Sequence, residues 1–465
     1  MALPPLNTTL TWKGSNASVA ALLDDLQANI LKGHGRDHTI NLFLQFDPAR
    51  QNQIKASIHQ LSGHIKTAKQ QLLEAEDFKT SKKDGGTVRC LMLSFAGYQA
   101  LGVAAKAPPT LANSAFQAGM RTRTNLLLDP PAANWDAHFN QTIHAMLLLA
   151  DDDTARLSAE RDSVVDSLQA VGVKILGEER GDQQHNSRGD GVEHFGYVDG
   201  RSQPLLLTED VQHEKAMTDG TSMWNPEFPV DQVLVTNAGA TAVLGSFFVF
   251  RKLEQNVFAF KRKEQDLSTT LGLTGEDREL AGALMVGRFE DGTPVLLRNR
   301  GGIGGGVPNN FNYDDDTAGV KCPFHAHIRK TNPRGTGGAE PQAVERGHIM
   351  ARRGITYGER EDGMGDRPET DVGLLFMAYQ KSLENQFEHT QRIWANNPGF
   401  PVGPAPAPGI DPVIGQGVNP PGTQQTPEHW GDPVTTKKPS DFAGFVKMKG
   451  GEYFFAPVIS ALRTL

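Results

Sequence analysis

The chain has 465 residues and a formal net charge of −8, from 54 acidic against 46 basic side chains. It is long enough for two or three cores of about 150 residues each, and it carries no lysine- or arginine-rich block of the kind that marks a nucleic-acid surface. Only Cys90 and Cys322 are present, which excludes a disulfide framework. Met1 to Ser15 lack an export signal's basic and apolar regions, and no later run approaches 18 apolar residues, so the expectation is a soluble chain that meets neither nucleic acid nor membrane.

Thr39 to Phe46 alternates Ile40, Leu42, Leu44 and Phe46, the period-two pattern of a strand. Ile54, Ile58, Leu61 and Ile65 then recur at spacings of three and four, which predicts an amphipathic helix. Arg89 to Phe95 and Ile143 to Ala150 are compact apolar runs of strand length. Asp152 or Asp153 is placed to cap a helix carrying Leu157, Val164, Val165 and Leu168, and Val171 to Leu176 resumes a strand. After about residue 210 the rhythm restarts: Gly245 to Phe250 is strand-like, Glu276 to Met285 helical, Leu374 to Tyr379 strand-like, and Tyr453 to Pro457 closes the chain.

The pattern reads as α+β, with two ferredoxin-like units of antiparallel sheet spanning 1–210 and 211–465. No residue-level repeat accompanies the rhythm, so the duplication is architectural. Gly301 to Gly306 lacks both the Gly-Lys-Ser/Thr ending of a phosphate loop and the Rossmann spacing, and reads as an ordinary loop. From Pro398 to Pro439 proline and glycine dominate, predicting a long surface excursion.

Three sets of residues carry chemistry. In Gly196-Tyr197-Val198-Asp199-Gly200, flanking glycines let the backbone turn sharply and bring a carboxylate close to a flat ligand; a strand-end Asx turn is the competing reading. His327 lies in Cys322-Pro323-Phe324-His325-Ala326-His327-Ile328-Arg329-Lys330-Thr331-Asn332-Pro333-Arg334, where Arg329, Lys330 and Arg334 supply positive charge for haem propionates. Cys322, His325 and His327 could instead bind zinc, although no second ligand cluster matches them. Arg352 and Arg353 precede Gly354-Ile355-Thr356-Tyr357-Gly358, and either could be a distal cation; Leu374 and Phe376 alternate along a strand that could wall a pocket. A carboxylate that moves a proton, an imidazole that holds iron and an arginine that stabilises developing charge are the parts of a haem peroxidase.

On these motifs the chain resembles the dye-decolorising peroxidases, the haem family marked by Gly-x-x-Asp-Gly. The likeness spans nearly the whole chain: Leu26 to Arg36, Gly196 to Pro204, Gly287 to Pro294, Cys322 to Arg334, and Gly451-Glu452-Tyr453-Phe454-Phe455. The resemblance implies two ferredoxin-like domains with one haem b per chain, held in a cavity of the C-terminal domain. It also implies Asp199 as the distal acid–base residue, His327 as the axial ligand of the haem iron, and Arg352 as the distal arginine, with Arg353 the alternative. A small residue is commoner in similar sequences where this chain has His325. The implied substrates are hydrogen peroxide and aromatic reducing donors, taken by one-electron steps. His327 needs a partner for its other ring nitrogen, Asp411 being the first choice and Glu384 the second. Trp394 is the candidate for surface electron transfer to donors too bulky for the pocket, although packing of a helix against the core is the commoner role of such a residue. A haem-handling or iron-releasing protein and a non-catalytic binding module are the other readings. Oligomeric state and cellular compartment, cytoplasmic or exported, stay open.

Overall fold

The computed structural model describes residues 3–110, 114–217, 219–237, 243–302, 306–359 and 367–465. In the first unit, β1 (His38–Phe46), β2 (Val88–Leu93), β3 (Ala145–Asp151) and β4 (Val173–Asp182) pair antiparallel in the order β4-β1-β3-β2. The second unit is built from β5 (Val235–Asn237), β6 (Val243–Gln255), β7 (Ala351–Arg352), β8 (Ile355–Tyr357), β9 (Gly373–Gln380) and β10 (Val446–Pro457). Its main path runs β10-β6-β9-β8, with β5 added to β6 and β7 to β9. Both units therefore place their fourth, first, third and second main strands side by side, the ferredoxin-like order expected from the sequence rhythm.

The units share one sheet. β10 pairs with β2 where Phe455 faces Leu93. At the opposite seam the Thr356 hydroxyl donates to the Asp182 carbonyl and accepts from the Gln184 N–H at 3.0 Å. The sheet thus curls toward a barrel whose inside is aromatic: Phe43 of β1 meets Phe250 of β6 edge-on, ring centroids 5.0 Å apart, and Phe139 packs against Phe43 at the same distance. Because side chains alternate along a strand, putting Phe250 inside turns Arg251 and Leu253 to the outer face of β6. That face looks onto the candidate site.

Several elements differ from the sequence expectation at their ends, each for a local reason. β2 stops at Leu93 because the Ser94 hydroxyl accepts from the Gly97 N–H and caps the helix Phe95–Ala100. The predicted helix through Ile54 ends at Ser62, leaving Ile65 buried beyond it. Asp153, rather than Asp152, caps the helix Thr154–Ala170 by accepting from the Ala155 and Arg156 N–H groups. In the second unit the 14-residue helix Val257–Thr270, absent from the sequence reading, follows β6. The helix expected from Glu276 is a 3-10 turn over Gly275–Arg278 that becomes α-helical over Glu279–Val286.

The stretch from Pro398 to Pro439 is not the surface excursion its composition suggests. Ile410, Asp411 and Gln424 within it are buried, and Gln425–Pro427 pairs with Lys437–Pro439. In the glycine-rich run, 303–305 lie outside the described residues. No helix among the described residues is long and apolar enough to cross a membrane.

Charged stitches join the units. Arg251 of β6, 2% exposed, donates through both terminal nitrogens to the Asp129 carboxylate at 2.6 and 2.8 Å. Asp129→Ala would leave a buried guanidinium without its counter-charge, so chemical denaturation should show a loss of about 3–5 kcal/mol.

Candidate active site

The site is a cavity against the outer face of the second unit's sheet, with Arg251, Leu253 and Gln255 of β6 and Leu374 and Phe376 of β9 on one wall. The register explains the grouping: Leu374 lies opposite Leu253, and Phe376 opposite Arg251. Leu374 and Phe376, singled out in the sequence as candidates to wall a pocket, both line this cavity.

His327 opens the short helix His327–Thr331 and faces the cavity with Ile328 and Thr331. Gly287, the C-cap of Glu279–Val286, permits this approach. Its φ is +96°, and a Cβ there would sit 2.3 Å from Ile328 Cγ1. The His327 Nδ1 lies 2.9 Å from Asp411 Oδ2 and 3.2 Å from Oδ1. Asp411 is fully buried, and its Oδ1 also accepts from the Val413 and Ile414 N–H groups at 2.8 and 3.0 Å. Burial disfavours charge on both partners, yet their mutual attraction prevails: the Asp411 carboxyl is held below its ordinary range and the His327 ring is raised above its own. Of the two acids considered from the sequence, Asp411 reaches His327, whereas Glu384 accepts from the Ala115 N–H at 2.7 Å.

The basic residues after His327 divide by helix face. Arg334 lines the cavity. Arg329 does not: its guanidinium is buried against Asp316 at 3.0 Å and donates to the Cys322 carbonyl at 2.6 Å, so the expected cofactor contact is replaced by a structural one. Lys330 also points away, donating to the carbonyls of Asn397, Phe400 and Gly409 at 2.5–2.8 Å and pinning the segment that leads to Asp411. With 3.6 residues per turn, 327, 328 and 331 share one side of this short helix while 329 and 330 fall on the other. His325 is buried beside a different cavity, where burial pushes its ring down to about 3. Cys322, His325 and His327 do not converge as a metal-binding group, which overturns the zinc reading.

Asp199 lines the same cavity as His327 and sits exposed in a turn in which Gly196 and Gly200 have φ of +101° and +78°. Arg352, in β7, lines the same cavity, and its guanidinium donates to the Arg201 carbonyl at 2.8 Å. Its own N–H donates to Gln203 Oε1 at 3.0 Å, so the Asp199 turn and β7 are docked on each other. Arg353 points the opposite way, donating to the carbonyls of Asn29 and Ile30 at 2.8 and 2.9 Å. The alternation of a strand thus separates the two neighbouring arginines.

Several cavity residues are not set apart as site residues by the sequence, Arg288 and Glu193 among them. Arg288 is 4% exposed and donates to the carbonyls of Gly292 and Pro308 at 2.9 and 2.8 Å. Like Arg334, it has no carboxylate partner among the described residues, and burial lowers these guanidinium groups to about 9 and about 10. Its signal was the run Gly287 to Pro294, noted as a motif but not as a site. Glu193 also lines the cavity, with burial pushing its carboxyl up to about 7; nothing in its sequence setting announced it. Two buried cations lacking counter-charges, apolar walls and an imidazole backed by a carboxylate fit a flat, apolar, iron-bearing group with carboxylate arms.

Trp394 is 1% exposed, stacked on Phe400 at 5.5 Å between centroids, so it cannot itself meet bulky donors at the surface.

The family model described as DyP dimeric alpha+beta barrel domain matches residues 25–181, and the one described as Dyp-type peroxidase, C-terminal, matches 214–399. The chain is 49% identical to the multifunctional dye peroxidase DyP2 of Amycolatopsis sp. over 470 residues, covering 99% of each. The solved structure of DyP2 from that source superposes with a TM-score of 0.92 at 48% identity, over 99% of this chain and 100% of the other. A DyP-type peroxidase structure from Anabaena sp. gives 0.90 at 40% identity, covering 100% of both chains.

The two kinds of buried arginine should separate on substitution. Arg329→Met should cost about 3–5 kcal/mol in unfolding free energy by stranding Asp316. Arg288→Met strands no carboxylate and should instead lower haem retention, read as Soret absorbance per chain.

Proposed function

This chain belongs to the dye-decolorising peroxidase family, and we propose that its cavity binds one haem b per chain, with His327 as the residue that would hold its iron. It is a hydrogen-peroxide-dependent oxidoreductase whose second substrates are dyes and other aromatic donors. In balance, one peroxide and two hydrogen-donating aromatics give two waters and two aromatic radicals. The observation that carries the site assignment is one imidazole, backed by a buried carboxylate, lining a single cavity together with an acid and an arginine.

Bound haem supplies the redox chemistry, cleaving peroxide and withdrawing single electrons from donors. The chain's own residues do the rest. Asp411 accepts the Nδ1 hydrogen of His327, fixing the tautomer so that Nε2 keeps its lone pair, and makes the imidazole a stronger donor. Arg288 and Arg334 would hold the carboxylate arms of such a group and gain the counter-charges they otherwise lack. Asp199 takes the proton from one peroxide oxygen and returns it to the other, which then leaves as water. Arg352 stabilises the negative charge that develops on the departing oxygen. Its bond to the Arg201 carbonyl keeps it in step with the Asp199 turn.

Asp199→Asn and Arg352→Leu should keep their haem yet react with peroxide about 10²–10³-fold more slowly in stopped-flow mixing. Arg353→Leu should stay near wild type, and the reverse ranking of the two arginines would move the distal role by one residue. His327→Ala should lose haem or change its spin state, while His325→Ala keeps the wild-type spectrum. A wild-type spectrum for His327→Ala would remove the ligand assignment.

A further inference from the structure

Beside the cavity, and outside the machinery just described, Glu340, His348 and His389 bring one ligand atom each to a common point, all within 4.8 Å of one another. We propose that these three side chains form a binding site for a divalent first-row metal ion, distinct from the haem iron.

The argument starts from hydrogen-bond accounting. His348 is 9% exposed, and its Nδ1 is hydrogen-bonded to the Asn385 carbonyl. A carbonyl only accepts, so Nδ1 carries the hydrogen and Nε2 of the neutral ring carries a lone pair. That lone pair lies 2.8 Å from Glu340 Oε1, itself an acceptor, and the His389 Nε2 lies 3.8 Å from the same oxygen. Glu340 Oε1 and both Nε2 atoms are buried and have no hydrogen-bond partner. The His348 Nε2 lone pair and the Glu340 Oε1 face one another as two acceptors and repel, and unsatisfied buried polar atoms are expensive. A cation at their centre removes both penalties together.

The donor set also suits the ion. Two imidazoles and a carboxylate are ligands for Zn²⁺ and its neighbours, at about 2.0–2.2 Å from the metal, and ligand atoms at that radius lie about 3–4 Å apart. The Asn385 carbonyl behind His348 is the outer-shell acceptor that metal-bound histidines usually have. The two imidazoles are stacked, centroids 3.5 Å apart and planes 6° from parallel, so both rings must tilt to aim their lone pairs at one ion. The broad terminal torsion of histidine permits this. Trp394 meets both rings edge-on at 5.3 and 5.4 Å, giving this buried indole the packing role that the sequence left open beside electron transfer.

The three ligands come from three segments: Glu340 from the loop before the helix Gln342–Gly347, His348 from the C-cap of that helix, and His389 from the wide-turned helix spanning 383–395. His348 lines the haem cavity and lies four residues before Arg352. An ion here would tie the approach to β7 to the helix that walls the cavity.

The test is isothermal titration of Zn²⁺ into chelator-treated holoenzyme, paired with zinc-edge X-ray absorption of the loaded wild-type protein. The expected result is one saturable equivalent per chain with imidazole scattering in the zinc spectrum, and affinity at least about tenfold weaker in Glu340→Gln and His389→Gln. Absence of a saturable equivalent overturns the proposal. Binding that survives unchanged in both variants also overturns it, as does a zinc spectrum without imidazole scattering. The last measurement needs no variant and decides the matter if either substitution fails to fold.

Discussion

A carboxylate sealed from water at Asp411 is the constraint on which the site depends. Such a charge is tolerable only if every lone pair that needs a donor finds one. Here the donors are His327 Nδ1 and the N–H groups of Val413 and Ile414. Asp411 belongs to a stretch rich in proline and glycine with little regular structure to hold it, so other bonds must fix the segment. Lys330, three residues after His327, does so through three carbonyls of that segment. The imidazole and its carboxylate are thus delivered by elements that hold each other, and neither can shift without exposing a charge the fold has buried.

The opposite wall is positioned by strand geometry. β6 and β9 pair so that Leu253 and Leu374, then Arg251 and Phe376, lie side by side toward the cavity, while Phe250 packs inside the barrel against Phe43. A one-residue slip would reverse both faces. β7 is pinned to β9 through Arg352 opposite Ala378, which sends Arg352 toward the cavity and Arg353 toward the Asn29–Ile30 segment. The barrel interior is therefore what specifies the side on which the Arg352 side chain lies.

The sequence made legible whatever depended on short-range pattern. The alternation in Thr39 to Phe46 and the Asp cap before Leu157 located strand and helix because those signals reside in adjacent residues. The glycine-framed Asp199 and the basic segment holding His327 were legible as motifs. Direction was not. Charge alone gave no means of separating Arg329, turned toward Asp316, from Arg334, turned toward the cavity. Proline and glycine between 398 and 439 correctly announced the shortage of regular backbone pairing, but composition says nothing of depth, and Asp411 is buried there. Trp394 stayed open for the same reason: an indole is suited both to electron transfer and to packing, and burial chooses between them.

Burial also sorts the arginines by purpose. Arg251 and Arg329 are almost wholly enclosed, and each faces a carboxylate, Asp129 and Asp316, within 3.0 Å. Arg288 and Arg334 are enclosed to a similar degree but face only carbonyls and other neutral oxygens, beneath aromatic rings. A fold that supplies counter-ions for some buried cations and withholds them from two beside the same cavity has left a deficit of negative charge there. Carbonyl oxygens satisfy the N–H groups but do not neutralise them, which is why burial lowers the proton affinity of these guanidinium groups. A ligand with carboxylate arms repairs that deficit, so the free energy spent on enclosing two bare cations is recovered on binding as affinity for an anion.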